Sequence, residues 1–257
     1  MDYEGFKKQV FTITTIDLNA YKERQMKRRI DALIAKNRCQ SYDEYVQLIK
    51  KDADRLEEFV NYLTINVSEF YRNPDQWKIL EQDILPDLIN KAGKRLKVWS
   101  AACSTGDEPY SLAMVIGKMV GLSNVSIIAT DIDKQVLEKA KLGLYNEKSL
   151  AGLPDEYKSK YFNKIGASYK ISDEIKKCVQ FKQHDLLKDA YPTDCDLIVC
   201  RNVLIYFTEE AKAEIYKKFS KSLRVGGVLF IGSTEQIIHH RDMDYETYKS
   251  FFYKKVR

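Results

Sequence analysis

The chain is poor in the features that mark several large protein classes. No apolar run reaches the ~20 residues that a bilayer-spanning helix needs, so direct membrane insertion is not expected. No basic-then-apolar leader precedes Phe11, which argues against secretion. Five cysteines (Cys39, Cys103, Cys178, Cys195 and Cys200) form no Cys-x-x-Cys pair and leave one over. That excludes a regular disulfide framework or zinc finger and fits reduced thiols in a cytoplasm. Histidine is scarce: His239 and His240 are adjacent and cannot share a helix face, and His184 reads as an exposed residue. No metal site is expected. The sequons Asn66-Val-Ser68 and Asn124-Val-Ser126 are discounted for want of a leader. The net charge of +5 is small for 257 residues and does not call for nucleic acid.

What is present is an ordinary globular composition, 44% hydrophobic and 31% charged, long enough for one large domain or two smaller ones. Residues 1–73 read as helical. Met26, Ile30, Leu33 and Ile34 recur at helical spacing, as do Tyr42, Tyr45, Val46 and Ile49 after a capping Ser41. The pattern continues from Leu56 to Tyr71, and Asn73-Pro74 breaks it. Residues 74–93 read as a linker with a connecting helix around Asp75–Ile84. From residue 94 to 257 strands alternate with helices: LKVWSAA, VSIIATDID, CVQFKQHDL, CDLIVCRNV and GGVLFIGST are strands. EPYSLAMVIGKMV, DKQVLEKAKLGLY and AKAEIYKKFSKSL are helices. This order predicts βαβ units and a mainly parallel sheet. An interruption at about 146–180, with a turn at Gly152-Leu153-Pro154, an amphipathic piece Glu156–Phe162 and a small hairpin around Gly166, reads as an inserted β-subdomain.

The stretch VWSAACSTGDEPYSLA, Val98–Ala113, carries the chemistry. A strand enters a small-residue turn, and a helix opens near Pro109. That is the nucleotide-binding corner of a doubly wound fold. Phosphate-binding versions are Gly-rich. Here Gly106 is the only glycine, and Asp107 and Glu108 occupy the place a pyrophosphate would need. Two carboxylates repel phosphate and suit a cationic ligand, which points to S-adenosylmethionine and methyl transfer. Alternatively, both acids serve only the helix dipole.

Asp131 ends the second strand about 25 residues beyond Gly106, where an acid accepts from ribose hydroxyls. Asp133 is the alternative, with Asp131 then the helix cap. Asp185 follows the third strand, where an adenine amino group needs an acceptor; a plain turn residue is the other reading. Arg201 and Asn202 follow the apolar strand Leu197–Val199, where active residues of such sheets cluster. Tyr206 places its hydroxyl near the reacting methyl or is a buried aromatic. On the stretch Tyr21–Arg38 seven basic residues, among them Arg24, Lys27 and Arg28, face only Glu23 and Asp31. This is a solvated face or a surface for an acidic partner. No nucleic-acid reader motif accompanies it.

Three segments in this order, Thr64-Ile65-Asn66-Val67-Ser68-Glu69-Phe70-Tyr71-Arg72, Trp99–Ser111 and Cys200–Phe207, resemble the CheR family of chemotaxis receptor glutamate O-methyltransferases. The resemblance covers nearly the whole chain. It implies an α/β, Rossmann-like S-adenosylmethionine-dependent methyltransferase domain with a small antiparallel insertion, preceded by an all-helical N-terminal domain. It further implies cofactor contacts from Asn66, Ser68, Arg72, Glu108, Asp131, Asp185 with Leu186, and Arg201 with Asn202. Tyr206 matches a tyrosine close to the transferred methyl, and the basic helix matches the receptor-recognition surface. The implied partners are the cytoplasmic helices of methyl-accepting chemotaxis receptors, and a cytoplasmic monomer is expected. Some members dock their inserted subdomain on a receptor C-terminal pentapeptide. Tyr161–Phe181 is shorter than in those members, so no such tether is expected. A methyltransferase for another acceptor, or a non-catalytic cofactor-binding module, would share the same cofactor residues.

Overall fold

The computed structural model describes residues 1–64 and 66–257; Ile65 of the first resemblance segment lies outside the described residues. The chain divides into two compact units, Met1–Asn66 with Tyr206–Ala213, and Val67–Ile205 with Glu214–Arg257.

The first unit is helical. Helices α1 (Tyr3–Thr14), α2 (Glu23–Lys36), α3 (Tyr42–Lys51) and α4 (Ala53–Thr64) each bury one apolar stripe. Phe6, Met26, Ile30, Tyr45, Ile49 and Phe59 are all buried, with Phe59 edge-on to the rings of Phe6 and Tyr45. Ser41 Oγ accepts from Glu44 N (3.2 Å), the expected cap. The strand-like segment around Phe207 also belongs to this unit: Phe207 bridges Tyr21, and their rings stack at 4.6 Å.

The expected helical run to Tyr71 stops at Thr64, and residues 66–69 are irregular. The reason lies in where the following amides find partners. Phe70 N donates to Ser149 O (3.0 Å) and Tyr71 N to Ser111 Oγ (3.1 Å), so tertiary acceptors replace the helical ones.

In the second unit α5 (Pro74–Ile79) passes through a π-helical turn, Leu80–Ile84, into α6 (Leu85–Ala92). The connecting helix was expected to end before Pro86. The widened turn just upstream accommodates the proline ring and its missing N–H, so the helix continues. Then follow β1 (Val98–Ser100), α7 (Asp107–Val120), β2 (Ile127–Asp131), α8 (Lys134–Leu142), β3 (Leu144–Asn146), α9 (Asp155–Tyr161), β4 (Phe162–Ile165), β5 (Ser168–Ile171) and α10 (Asp173–Lys176). The chain closes with β6 (Val179–Gln183), β7 (Cys195–Cys200), α11 (Glu209–Ser222), β8 (Leu223–Ile231), β9 (Tyr245–Lys249) and β10 (Phe252–Lys255). The division between the units falls within α11.

Seven strands form one sheet in the order β6-β2-β1-β7-β8-β10-β9. The first five are mutually parallel, and β10 runs antiparallel to both its neighbours. The pattern offers no strand beyond Thr234, yet β9 and β10 complete the sheet. The strand order reverses at β1, so a crevice for ligands is expected outside the carboxyl ends of β1, β2 and β7. Every residue of β1 and β7 is buried, as central parallel strands covered on both faces must be.

A second sheet, β3-β5-β4, is antiparallel. It starts at Leu144 rather than within an extended helix reaching Tyr145, because Gly143, in the left-handed region at φ 70°, ends α8. Gly166 sits in the turn between β4 and β5, as the sequence pattern indicates. Tyr145 and Phe162 pack edge-on against Phe70 at 4.7 and 5.2 Å.

Trp99, fully buried at the centre of β1, ties the layers together. Its Nε1 donates to Thr130 Oγ1 (2.9 Å), and its ring packs against His184, Tyr191 and Phe219. Trp99→Ala is expected to lower the stability of this unit by about 3–5 kcal/mol, read as a shifted guanidinium unfolding midpoint.

Candidate active site

The turn after β1 is shaped by two residues with positive φ, Ser104 (46°) and Gly106 (91°). At Gly106 a Cβ would lie 2.9 Å from Ala140 Cβ and 3.1 Å from both the Tyr110 ring and the Tyr145 hydroxyl, so conformation and space both require glycine. The turn aims Ser104 N at Asp131 Oδ2 (2.8 Å), while Asp131 Oδ1 accepts from Asp133 N (3.1 Å). Asp133 itself caps α8 through Gln135 N (2.9 Å). The structure therefore gives the capping role to Asp133 and leaves Asp131 at the strand end. A carboxylate has about four lone-pair sites, so Asp131 keeps acceptor capacity for a ligand. Burial pushes its pKa up to about 6.

Glu108, in the first turn of α7, accepts from Ser100 Oγ (2.8 Å) and faces Arg201 Nη1 at 3.8 Å. Burial raises its pKa, and the Arg201 guanidinium opposes that rise. Arg201 Nη2 donates to Arg72 O (2.7 Å), Asn73 Oδ1 (3.2 Å) and Gln76 Oε1 (2.7 Å). Arg72, Glu108 and Arg201 are thus drawn into one network, and Ser68 hydrogen-bonds the neighbouring Asp107 carboxylate. Burial raises the pKa of Asp107 as well.

On the other side of β2, His184 N donates to Asp131 O (2.9 Å), which sets Asp185 beside the second strand end. Asp185 Oδ1 accepts from Leu187 N (2.8 Å), the local turn role, and its other oxygen lies 3.8 Å from Lys188 Nζ. Leu186 is buried, and its carbonyl accepts from the Tyr191 hydroxyl (2.7 Å). His184, expected to be exposed, is buried against Trp99 and Tyr191 because the aromatic layer under β1 closes over it. Burial lowers its pKa.

Ser68, Arg72, Glu108, Asp131, Asp185, Leu186, Arg201 and Asn202 all lie in the second unit, around the ends of β6, β2, β1 and β7. Asn66 and Tyr206 belong to the first unit. There Asn66 Nδ2 donates to Thr64 Oγ1 (3.0 Å) and Tyr206 O accepts from Lys22 N (2.9 Å). The basic stripe resolves into two groups. Arg29 donates to Tyr62 O and lies over that ring, and Lys36 pairs with Glu58 at 2.7 Å, so both serve packing against α4. Arg24, Lys27 and Arg28 stay exposed on the outer face of α2.

Sequence reasoning missed Ser100, Gln76 and Glu235. Glu235 is buried and accepts from Gly232 N (2.7 Å), Asn202 N (3.0 Å) and Leu204 N (2.9 Å). Gln76 and Glu235 lie in none of the motifs, and Ser100 is not singled out within its own, since their partners lie 125, up to 33 and 8 positions away.

Three buried polar atoms at the carboxyl ends of β1 and β7, Ser104 Oγ, Arg201 Nε and Asn202 Oδ1, have no hydrogen-bond partner among the described residues. Unpaired buried groups cost free energy that a polar ligand recovers. With Asp131 and Glu108 beside them, and no glycine-rich phosphate cradle, this donor and acceptor set fits the hydroxyls, ammonium and sulfonium of S-adenosylmethionine. Affinity for this ligand is expected to fall as the pH drops from about 7 to 5, because Asp131 gains a proton near its pKa and loses acceptor capacity. Isothermal calorimetry should show that dependence flattened in Asp131→Asn.

Residues 66–251 match the SAM-binding domain of CheR methyltransferases, and residues 1–64 match their all-alpha domain. The chain is 45% identical over 255 residues to the chemotaxis protein methyltransferases of Listeria innocua serovar 6a and Listeria monocytogenes serovar 1/2a, covering 99% of this chain and 97% of each relative. It is 34% identical over 248 residues to chemotaxis protein methyltransferase 1 of Pseudomonas aeruginosa, covering 92% of this chain and 90% of that one. The chain therefore belongs to the CheR methyltransferase family, and S-adenosylmethionine is its methyl donor.

Proposed function

We propose that this protein methylates glutamate side chains on the cytoplasmic helices of chemotaxis receptors, forming methyl esters for sensory adaptation. The near full-length likeness to chemotaxis protein methyltransferases carries the reading. The protein works as a cytoplasmic monomer and without a receptor C-terminal tether. No helix among the described residues is long and apolar enough to cross a membrane.

S-adenosylmethionine supplies an electrophilic methyl on a cationic sulfur. The acceptor carboxylate has an ordinary pKa near 4.3 and arrives ionised, so no side chain of this protein need remove a proton. The residues therefore bind and align, and alignment alone can be worth ~7–11 kcal/mol. Asp131 accepts from ribose hydroxyls. Asp185 and Leu186 face the adenine, and Asn66, Ser68, Arg72, Glu108, Arg201 and Asn202 supply the remaining polar contacts. Tyr206 stands close to the transferred methyl.

The exposed Arg24, Lys27 and Arg28 recognise an acidic receptor surface, for which a like-signed cluster gives steering and selectivity. Lys27→Glu combined with Arg28→Glu should weaken receptor methylation severalfold while calorimetric affinity for the cofactor stays unchanged; equal loss of both would make α2 a structural element only. The reaction itself is tested by incubating the protein with methyl-labelled S-adenosylmethionine and receptor-bearing membranes. Mild base should release the label as methanol, whereas a base-stable label would show an acceptor other than a carboxylate.

A further inference from the structure

The Glu235 carboxylate does no work in the reaction outlined above, yet it is buried and surrounded by backbone donors. After β8 the chain makes a tight turn in which Glu235 N donates to Gly232 O (3.1 Å). The side chain folds back, so that Oε2 accepts from Gly232 N (2.7 Å) and from Asn202 N (3.0 Å), and Oε1 from Leu204 N (2.9 Å). Ile205 N adds a further backbone hydrogen bond. Successive amides converging on one anion form a nest of the kind that usually binds an external anion. Here the protein fills it with its own carboxylate.

What this clamp fixes is the conformation of Asn202. Its φ is +60°, a left-handed value that costs a non-glycine residue free energy unless its surroundings impose it. Gly232 lies directly against it: a Cβ there would sit 2.6 Å from Asn202 N and 2.8 Å from Asn202 Nδ2. The Asn202 side-chain oxygen is buried and without a hydrogen-bond partner among the described residues. A strained backbone, a clamping carboxylate and an unpartnered amide oxygen therefore meet at one residue. We propose that Glu235 is a positioning residue for methyl-donor binding: it holds Asn202 in its left-handed conformation, so that the side-chain amide is oriented toward the cofactor before the cofactor arrives. The proposal rests on Asn202 being a cofactor contact.

Glu235→Gln keeps the size but offers an NH2 group to a nest of N–H donors, so the clamp should open. Asn202→Ala removes the oriented amide itself. By calorimetry with S-adenosylhomocysteine, each single variant should weaken binding about tenfold or more, the scale of one buried hydrogen bond lost. The double variant should be little worse than either single one, because both act through the same group. Losses that multiply in the double variant would overturn the positioning role, as would unchanged affinity in Glu235→Gln. Unchanged affinity in Asn202→Ala would instead remove the contact reading on which it rests, and no binding by the parent protein would remove the methyltransferase reading. If Glu235→Gln does not fold, Gly232→Ala, whose Cβ would fall 2.7 Å from Glu235 Oε2 as well as against Asn202, forces the clamp apart without changing either side chain and carries the same two expectations. Failure of both to fold would make the clamp a stability element and overturn the proposal.

Discussion

A guanidinium buried at the end of the central strand organises the candidate site. Taking Arg201 out of water costs several kcal/mol unless its donors find partners. The partners come from far away in sequence: the Arg72 carbonyl, the side chains of Asn73 and Gln76, and Glu108 at 3.8 Å. Its flat face lies over the Phe230 ring at 4.7 Å and the Trp77 ring at 5.8 Å. The Arg72 carbonyl also accepts from Trp77 Nε1 (3.0 Å), which ties the start of α5 to itself, while Arg201 fastens that segment to the carboxyl end of β7 at Arg72, Asn73 and Gln76. Loss of the guanidinium would leave Glu108 as an uncompensated buried carboxylate. That one charge therefore fixes the relation between Arg72, the opening of α7 and the loop after β7.

Around Arg201 the balance of buried charge is negative. Burial raises the pKa of Asp107, Glu108, Asp131 and Glu235 alike. Each carboxylate kept ionised there destabilises the folded chain, and a ligand that brings positive charge and hydroxyl donors offsets that cost on binding. A phosphorylated dinucleotide would add to it. The same acids that exclude phosphate thus favour a sulfonium compound, and the acceptor chemistry fits, since a carboxylate needs no base to be activated. The protein's part is arrangement: Ser100 orients Glu108, Ser104 orients Asp131, and Glu235 orients Asn202.

Much of this was legible in the sequence because it is local. The single-glycine turn, the acids at the start of α7, and the strand-end residues Asp131, Asp185, Arg201 and Asn202 all sit where alternating strands and helices must place them. The misreadings share one cause. Ser41 caps a helix within three residues and was found, whereas the amides of Phe70 and Tyr71, expected to be helical, find their acceptors on Ser149 and Ser111, far along the chain. His184 looked exposed because the rings that cover it, Trp99 of β1 and Tyr191 of the loop before β7, reach it only in the fold. Glu235 follows an unremarkable Gly-Ser-Thr, and only folding brings it under Asn202.

The sequence by itself determined which faces are apolar, where strands give way to helices, and that the first βα turn is acidic rather than phosphate-binding. Those properties follow from backbone periods of two and 3.6 residues and from side-chain charge, which act within a few positions. Only the tertiary structure decided that Asp133 caps α8 while Asp131 stays at the strand end. It alone separated Arg29 and Lys36, spent on packing, from the exposed Arg24, Lys27 and Arg28. The physical reason is that every buried donor, acceptor and charge must be satisfied, and in a folded chain the partner comes from whatever segment lies nearest in space.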